Sequence, residues 1–373
     1  MTTTLPAQSA RSAPVTSKGL TLVASGQFDW TETAPGELSP DEVIVEVAGC
    51  GVCHTDIGFA YEGIPTRHAL PLILGHEIAG RVVLAGTRAG NWVGRSVIVP
   101  AVIPCGECAA CRGGRPTICR KQFMPGNDAD GGFATCVRVP ARGLCPVPDE
   151  LPQGLTLAML SVVADAVTTP HEAIRRSGLG ADDVAVFVGA GGIGGFGVQI
   201  AAALGAAVVA IDVDADRLEL ASAHGAALAL NARECADVKS AVRSFARQSG
   251  RHGIGLKIFE TSGTAVGQQT AFSLLDPGAH LAIVGYTAQK IEVRLSNLMA
   301  FDATARGNWG CPPDQYPNAL AMVLEGKIHI QPFVEMHPLE EAQQVLEAVH
   351  HHQLRRRAVL VPQARGIQQG TKP

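Results

Sequence analysis

The chain has 373 residues, which is too long for one ordinary hydrophobic core and predicts two domains of roughly 150 to 200 residues each. Apolar residues make up 46% and charged residues 17% of the sequence, a composition that excludes a disordered chain. A net charge of −4 argues against nucleic acid as a partner, and no apolar run reaches the about 18 to 20 residues that cross a membrane. Ten cysteines without a signal peptide indicate reduced thiols in the cytoplasm, so we expect a cytoplasmic enzyme of small molecules.

The first part of the chain predicts β structure. Residues 1–19 are expected to form a flexible tail. Short β-type runs at residues 20–23 and 43–47 then alternate with turn signals, and the second run has period-two alternation. These runs predict an antiparallel, barrel-like entry into the first domain.

A reactive motif follows the second of these runs. Cys53, His54, Thr55 and Asp56 place a thiol, an imidazole, a hydroxyl and a carboxylate in four consecutive residues. Such groups are often presented by loops at strand ends, where a rigid scaffold positions them. The motif therefore predicts chemistry at this point of the fold.

A second short motif, Gly75-His76-Glu77, lies about twenty residues further on. Cys53 and His76 would supply one sulfur and one nitrogen ligand, a pair that zinc binds readily. A buried cysteine and a core histidine explain these two residues equally well when they are considered alone. A third ligand has to come from elsewhere in the chain.

Four cysteines then lie within fifteen residues of a segment rich in glycine and proline: Cys105, Cys108, Cys111 and Cys119. This spacing allows four thiolates to converge on one ion, which predicts a closed structural zinc site. The alternatives are an iron–sulfur cluster and unrelated cysteines. A cluster-binding run usually has a different last spacing and a proline after the last cysteine, which disfavours the cluster.

Asp165 is a single carboxylate within the apolar residues 161–167, at the start of a predicted helix. Burial of such a group is costly unless it is paired or bound to a cation. By itself, a helix cap is the better explanation of this aspartate.

The second domain begins with the apolar run 183–188, a glycine-rich turn, an alanine-rich helix to about residue 204, and a strand that ends at Asp212. This order is the dinucleotide-binding fingerprint, in which glycines let a pyrophosphate approach a helix N-terminus. The residues expected at that turn are Gly189, Gly191, Gly192, Ile193 and Gly194. Asp212 would accept hydrogen bonds from the adenosine ribose and repel a 2′-phosphate, which favours NAD over NADP. A purely structural glycine turn is the alternative.

Further strand–helix units predict a doubly wound parallel sheet over residues 166–307. Residues 308–362 are expected to return to the first domain, and residues 363–373 to form a second tail. His350 to His352 and Arg355 to Arg357 could form a metal or phosphate patch, but a solvated helix end is the favoured explanation.

Taken together, residues 20–362 resemble the zinc-dependent medium-chain alcohol dehydrogenase family. The resemblance implies an α/β architecture, with a GroES-like β-rich catalytic domain at 20–165, a four-cysteine zinc lobe at 105–119, and a doubly wound Rossmann NAD-binding domain at 166–307. It also implies two Zn²⁺ ions per chain, NAD as the cofactor, and a homo-oligomer, either a dimer or a tetramer.

The resemblance assigns roles around the catalytic zinc. Cys53, His76 and Asp165 are implied as its ligands, because the family's third ligand lies at the start of the helix that enters the cofactor domain. Glu77 is implied as an occasional ligand or a nearby negative charge. Asp56 is implied to orient His76.

The resemblance also implies a proton path. Thr55 would accept the alcohol proton, and His54 would contact the cofactor pyrophosphate. Gly58 occupies the position where many family members carry a relay histidine, so the path could end at solvent or at another histidine.

Five segments resemble, more narrowly, the dehydrogenases of 6-hydroxycyclohex-1-ene-1-carbonyl-CoA in anaerobic benzoyl-CoA degradation. This resemblance implies an acyl-CoA substrate; the segments are residues 99–105, 124–128, 131–134, 161–170 and 306–313. The alternatives are a general alcohol dehydrogenase and a non-catalytic protein that binds zinc and NAD. A zinc-free reductase of the same fold would lack Cys53 and His76.

Overall fold

The computed structural model describes residues 15–34 and 36–363. Most of the two predicted tails, residues 1–14 and 364–373, lies outside the described residues. The first strand, β1, spans Ser17–Ala24. It begins inside the segment 1–19 that was predicted to be a tail, so that boundary was placed too late.

The catalytic half is mainly β structure, and its strands and helices are β1, β2 (Gln27–Thr33), β3 (Glu42–Gly51), α1 (His54–Tyr61), β4 (Leu72–Ile73), β5 (Glu77–Ala85), β6 (Ser96–Val99), α2 (Ala109–Arg112), β7 (Cys136–Pro140) and β8 (Cys145–Pro146). Most apolar residues of β3 are buried, and the strand pairs antiparallel with both β5 and β7. This central strand therefore delivers the chain to α1 from a rigid position.

The cofactor half alternates strands and helices, which are α3 (Thr168–Ser177), β9 (Val184–Val188), α4 (Gly192–Ala203), β10 (Ala207–Asp212), α5 (Ala215–Ala223), β11 (Leu228–Asn231), α6 (Val238–Gln248), β12 (Lys257–Glu260), α7 (Ala265–Ser273), β13 (His280–Ile283), α8 (Ser296–Ala300) and β14 (Thr304–Gly307). Within the described residues the strands form a parallel sheet in the order β11-β10-β9-β12-β13-β14. The order reverses beside β9, and the crevice at such a switch point is where open α/β sheets bind ligands.

The remaining elements are α9 (Tyr316–Leu324), β15 (Val334–Pro338), α10 (Ala342–His350) and β16 (Arg357–Val361). β16 pairs antiparallel with β3, with Val359 opposite Gly51 and Leu360 opposite Cys50. Residues late in the chain thus complete the catalytic sheet next to the Cys53 motif. The β-rich half and the doubly wound half agree with the predicted fold class. Among the described helices, none has the length and apolarity to cross a bilayer.

Candidate metal centre and cofactor cleft

Cys53 lies at the N-terminus of α1 in an extended conformation and is 5% exposed. Its amide donates to Asp56 Oδ2 at 2.9 Å, which fixes the turn from β3 into the helix. The thiol is held 3.7 Å from Thr55 Oγ1, so the motif brings its sulfur and hydroxyl together as the sequence predicts.

Asp56 connects the two predicted ligand motifs. Its carboxylate is fully buried and accepts from the Gly75 amide and from His76 Nδ1, both at 3.2 Å. Because Nδ1 donates to Asp56, His76 presents Nε2 to the site as an acceptor. This is the orienting contact expected from the sequence.

Asp165 lies between a 3₁₀ turn, Met159–Ala164, and α3. Its Oδ2 is 3.8 Å from both Cys53 Sγ and His76 Nε2, and its Oδ1 accepts from the Thr169 hydroxyl. Within the described chain α3 begins without a side-chain cap, so the helix-cap explanation of Asp165 is wrong. The three predicted ligands converge although 112 residues separate Cys53 from Asp165.

This donor set fits zinc. Ligand atoms of Cys53, His76, Glu77 and Asp165 all lie within 4.8 Å of one another. Tetrahedral zinc with bonds of about 2.0 to 2.3 Å places its ligand atoms about 3.3 to 3.8 Å apart. Although burial opposes it, the Asp56 and Asp165 carboxylates raise the pKa of His76 well above its usual range, which indicates a site that favours a cation.

Glu77 has a different partner from the one expected of a ligand. Its carboxylate oxygens accept from Nε and Nη2 of Arg357, with Nε at 2.8 Å. Burial raises the pKa of Glu77 to about 7, although Arg357 opposes this shift. In this arrangement Glu77 is a charge next to the centre, and Arg357 is buried instead of lying on a solvated helix end.

The four cysteines of the lobe also converge. Cys108 Sγ is 3.5 Å from Cys111 Sγ and 3.7 Å from Cys119 Sγ, while Cys105 and Cys111 are 4.0 Å apart. Four thiolates around zinc at about 2.3 Å would be about 3.8 Å apart. The lobe therefore fits a closed zinc site formed within one local segment.

The glycine turn opens the cofactor cleft after β9. Gly189 has φ +98, and a Cβ on Gly194 would lie 1.8 Å from the Gly189 carbonyl oxygen, so only glycine fits at this crossing. Gly191 precedes α4, and Gly192 and Ile193 form its first residues. The helix N-terminus thus faces the cleft as the fingerprint predicts.

Cationic side chains surround this turn. Cβ atoms on Gly191 and Gly192 would lie 3.5 Å from Arg217 Nη1 and 2.9 Å from Arg357 Nη1. Although His54 is exposed at the surface, surrounding protein atoms partly desolvate its ring, and this desolvation lowers the pKa of His54 together with the charges of Arg357, His352 and Arg217. These cations and the helix N-terminus form a site suited to a pyrophosphate. Sequence reasoning identified His54 here. It considered Arg357 as part of a phosphate patch but favoured a solvated helix end, and it missed Arg217, which no local motif marks.

Asp212 has a structural role as well as the predicted one. It is 8% exposed, and its carboxylate accepts from the amides of Ala190 and Val213 at 2.7 Å and of Asp214 at 3.0 Å. The end of β10 is thereby tied to the glycine turn. Oδ2, with one partner, keeps acceptor capacity for a ribose hydroxyl.

Comparisons with known proteins agree with this geometry. Residues 39–149 match the alcohol dehydrogenase GroES-like domain, and residues 192–325 match the zinc-binding dehydrogenase domain. An alcohol dehydrogenase of Geobacillus stearothermophilus is 30% identical over 87% of this chain and 92% of its own length. The solved galactitol-1-phosphate dehydrogenase of Escherichia coli has a TM-score of 0.83 at 26% identity, covering 92% of this chain and 100% of that one. A protein assigned as a zinc-binding dehydrogenase of Sinorhizobium meliloti, with NADP bound, has a TM-score of 0.80 at 26% identity, covering 93% and 100%.

Proposed function

Because the chain belongs to the zinc-dependent medium-chain alcohol dehydrogenase family, we propose that Cys53, His76 and Asp165 form the centre at which it oxidises a CH–OH group with NAD. Arg357 supports this proposal most directly. Its guanidinium pairs with Glu77, next to His76, and also borders Gly192 at the helix N-terminus. One side chain therefore contacts both Glu77, beside the proposed metal centre, and the phosphate-binding turn, so the two sites adjoin.

Different residues have different roles in the proposed oxidation. Zinc held by Cys53, His76 and Asp165 would supply Lewis acidity that lowers the pKa of the alcohol, and NAD held at the glycine turn would supply the hydride acceptor. Thr55, beside Cys53, accepts the hydroxyl proton. Cys53 and His76, both buried, hold their ligand atoms in fixed positions. Loss of one proton and one hydride converts the alcohol to its carbonyl product.

The proton leaves towards solvent in this proposal. Gly58 carries no side chain to take it further, and a Cβ there would lie 2.6 Å from Ile64 Cδ1. Thr55 itself is only partly buried. A histidine at position 58 would fit only if Ile64 moved. Position 58 therefore provides no relay histidine in this chain.

For the substrate, we propose an alicyclic hydroxyacyl-CoA, 6-hydroxycyclohex-1-ene-1-carbonyl-CoA, oxidised to the 6-oxo product. Support comes from the five sequence segments, one of which contains Asp165. Another contains Asn308, which donates to the Thr169 carbonyl at 3.3 Å, so these two segments contact each other four residues from Asp165. A secondary alcohol beside the thioester-bearing carbon gives a conjugated ketone.

The CoA phosphates would need cations, and the structure narrows the candidates. Arg357 is buried against Glu77 and Arg355 pairs with Asp216, so the cluster at 355–357 serves the cofactor side. In contrast, Arg115 is exposed on the lobe. Burial and the nearby charges of Arg306 and Arg115 lower the pKa of Arg176, so three cationic side chains lie close together there. We propose that the phosphates of the CoA moiety bind beside these three arginines.

A general alcohol or polyol dehydrogenase is the second candidate, and the names of the relatives favour it. The test compares NADH formation from the CoA thioester, the free hydroxy acid, cyclohexanol and benzyl alcohol. The thioester should have the highest kcat/KM, and the free acid should lose turnover as well as affinity, because remote binding energy assists the reaction. If cyclohexanol or benzyl alcohol has a kcat/KM equal to that of the CoA thioester, the chain is a general alcohol dehydrogenase. NADH from none of them, with zinc present, would favour the non-catalytic alternative.

We also propose that the chain is a cytoplasmic homo-oligomer. β14 lies at the edge of the parallel sheet, and its four residues are exposed. An exposed edge strand can pair with a second copy about a two-fold axis. The four-thiolate lobe requires reduced cysteines, which favours the cytoplasm. Light scattering should return a dimer or larger, and Ala305→Pro on β14 should reduce that mass; a monomeric parent chain would contradict the proposal.

A further inference from the structure

We propose that Thr169 is a positioning residue that holds Asp165 as a one-oxygen ligand of the metal centre. This inference rests on the proposed centre. The two carboxylate oxygens of Asp165 have different surroundings: Oδ1 accepts from the Thr169 hydroxyl, whereas Oδ2 faces Cys53 Sγ and His76 Nε2 at 3.8 Å. Rotation of the carboxylate towards two-oxygen binding would break the contact with Thr169.

Asp165 needs such a restraint because its backbone lies outside regular structure. Its φ and ψ, −142 and −55, separate the 3₁₀ turn from α3, so helix geometry does not fix its side chain. Thr169 returns two contacts to this residue: its hydroxyl reaches Oδ1, and its amide donates to the Asp165 carbonyl at 2.8 Å. Both ends of Asp165 are therefore held by one residue on the first turns of α3.

Thr169 is itself fixed. It is 5% exposed, and its branched side chain has restricted rotation about χ1 in a helix. Its carbonyl accepts from Asn308 Nδ2 at 3.3 Å, and Asn308 Oδ1 accepts from Arg176 Nη1 at 3.1 Å. A connected series of hydrogen bonds thus runs from Arg176 through Asn308 and Thr169 to Asp165.

Loss of the Thr169 hydroxyl should weaken zinc binding, because the unrestrained Asp165 carboxylate can rotate or bind through both oxygens. Outer contacts of this kind typically change metal affinity by about 10- to 100-fold. Thr169→Val removes the hydroxyl and keeps the shape, whereas Thr169→Ser keeps the hydroxyl. We expect Thr169→Val to raise the zinc Kd of the catalytic centre by about 10- to 100-fold and Thr169→Ser to restore most of the affinity.

The experiment measures zinc release by chelator competition on the purified full chain, together with the visible spectrum after Co²⁺ replacement. The lobe should keep its zinc in every variant, which reports that the fold is intact; if Thr169→Val does not fold, Thr169→Ala takes its place. Wild-type zinc affinity and an unchanged Co²⁺ spectrum in the hydroxyl-free variant would overturn the inference. Asp165→Ala distinguishes failure of the proposed metal centre from failure of the role of Thr169. If Asp165→Ala keeps both zinc ions, the proposed centre is wrong. If Asp165→Ala loses one ion while the Thr169 variants keep both with wild-type affinity, only the role of Thr169 is wrong.

Discussion

Arg357 and Glu77 lie 280 residues apart in the chain and form a two-nitrogen, two-oxygen ion pair next to His76. The Glu77 side chain is 0% exposed and that of Arg357 is 7% exposed. Arg357→Ala would leave a buried carboxylate without its partner. We expect a loss of about 3 to 5 kcal/mol in the free energy of unfolding, measured by urea denaturation.

The same variant should change the pH dependence of stability. Burial raises the pKa of Glu77 to about 7, above the ordinary value of a glutamate. A carboxyl with a raised pKa in the folded state contributes stability that is complete below its unfolded pKa and is lost as pH rises through the folded value. Without the opposing Arg357 charge this loss should become larger between about pH 5 and about pH 8. The double variant Glu77→Gln/Arg357→Ala is the control and should lack the added slope; an Arg357→Ala profile parallel to that of the parent chain would contradict the prediction.

The two donor sets predict two zinc ions per chain with different roles. Cys108→Ser should mainly lower the yield of folded protein, because its site fixes the lobe. Asp165→Ala should keep the fold and lose turnover by more than the ~10- to 100-fold that outer contacts produce. Elemental analysis and steady-state kinetics test both variants. Unchanged turnover in Asp165→Ala would show that Asp165 is not part of the catalytic centre.

NAD should be preferred over NADP by ~100-fold, since the Asp212 charge repels a 2′-phosphate and such repulsion amounts to a few kcal/mol. Asp212→Gly should narrow the preference and also lower stability, because three backbone amides lose their acceptor. Asp237→Ala is the matched control: it removes the carboxylate that caps α6 and should lower stability with the preference unchanged. Equal kcat/KM values for the two cofactors in the parent chain would show that Asp212 does not select between them.

Tyr316 is expected to support the segment that carries Asp165. Its buried hydroxyl donates to the Ala164 carbonyl at 2.5 Å and accepts from the Ala101 amide at 3.1 Å. Tyr316→Phe leaves the Ala101 amide unpaired, whereas the Ala164 carbonyl keeps the Thr168 hydroxyl as a donor, so the loss should be about 1 to 3 kcal/mol. Thermal unfolding would measure the loss, and Tyr286→Phe, at an exposed tyrosine, is the control. An unchanged melting temperature in Tyr316→Phe would contradict this prediction.

Local motifs were predictable because a few residues determine their geometry. The cysteines of the lobe, the turn from Cys53 to Asp56 and the glycine turn each form within one short segment. Asp165 was ambiguous, since a carboxylate before a helix serves equally well as a cap until the fold brings it to Cys53. Arg357 was interpreted as part of a solvated helix end, because the apolar run that predicts a strand at 358–361 shows neither its pairing with β3 nor the contact of Arg357 with Glu77. Thr169 looked like an ordinary helix residue for the same reason.

The pairing of β16 with β3 sets an order of assembly during synthesis. The lobe can close around its ion as soon as residues 105–119 leave the ribosome, because its four thiols come from one segment. Arg357 emerges 280 residues after Glu77, which corresponds to about 15 to 60 seconds of translation at typical rates. Newly made chains should therefore acquire lobe zinc well before the catalytic centre has its complete electrostatic surroundings.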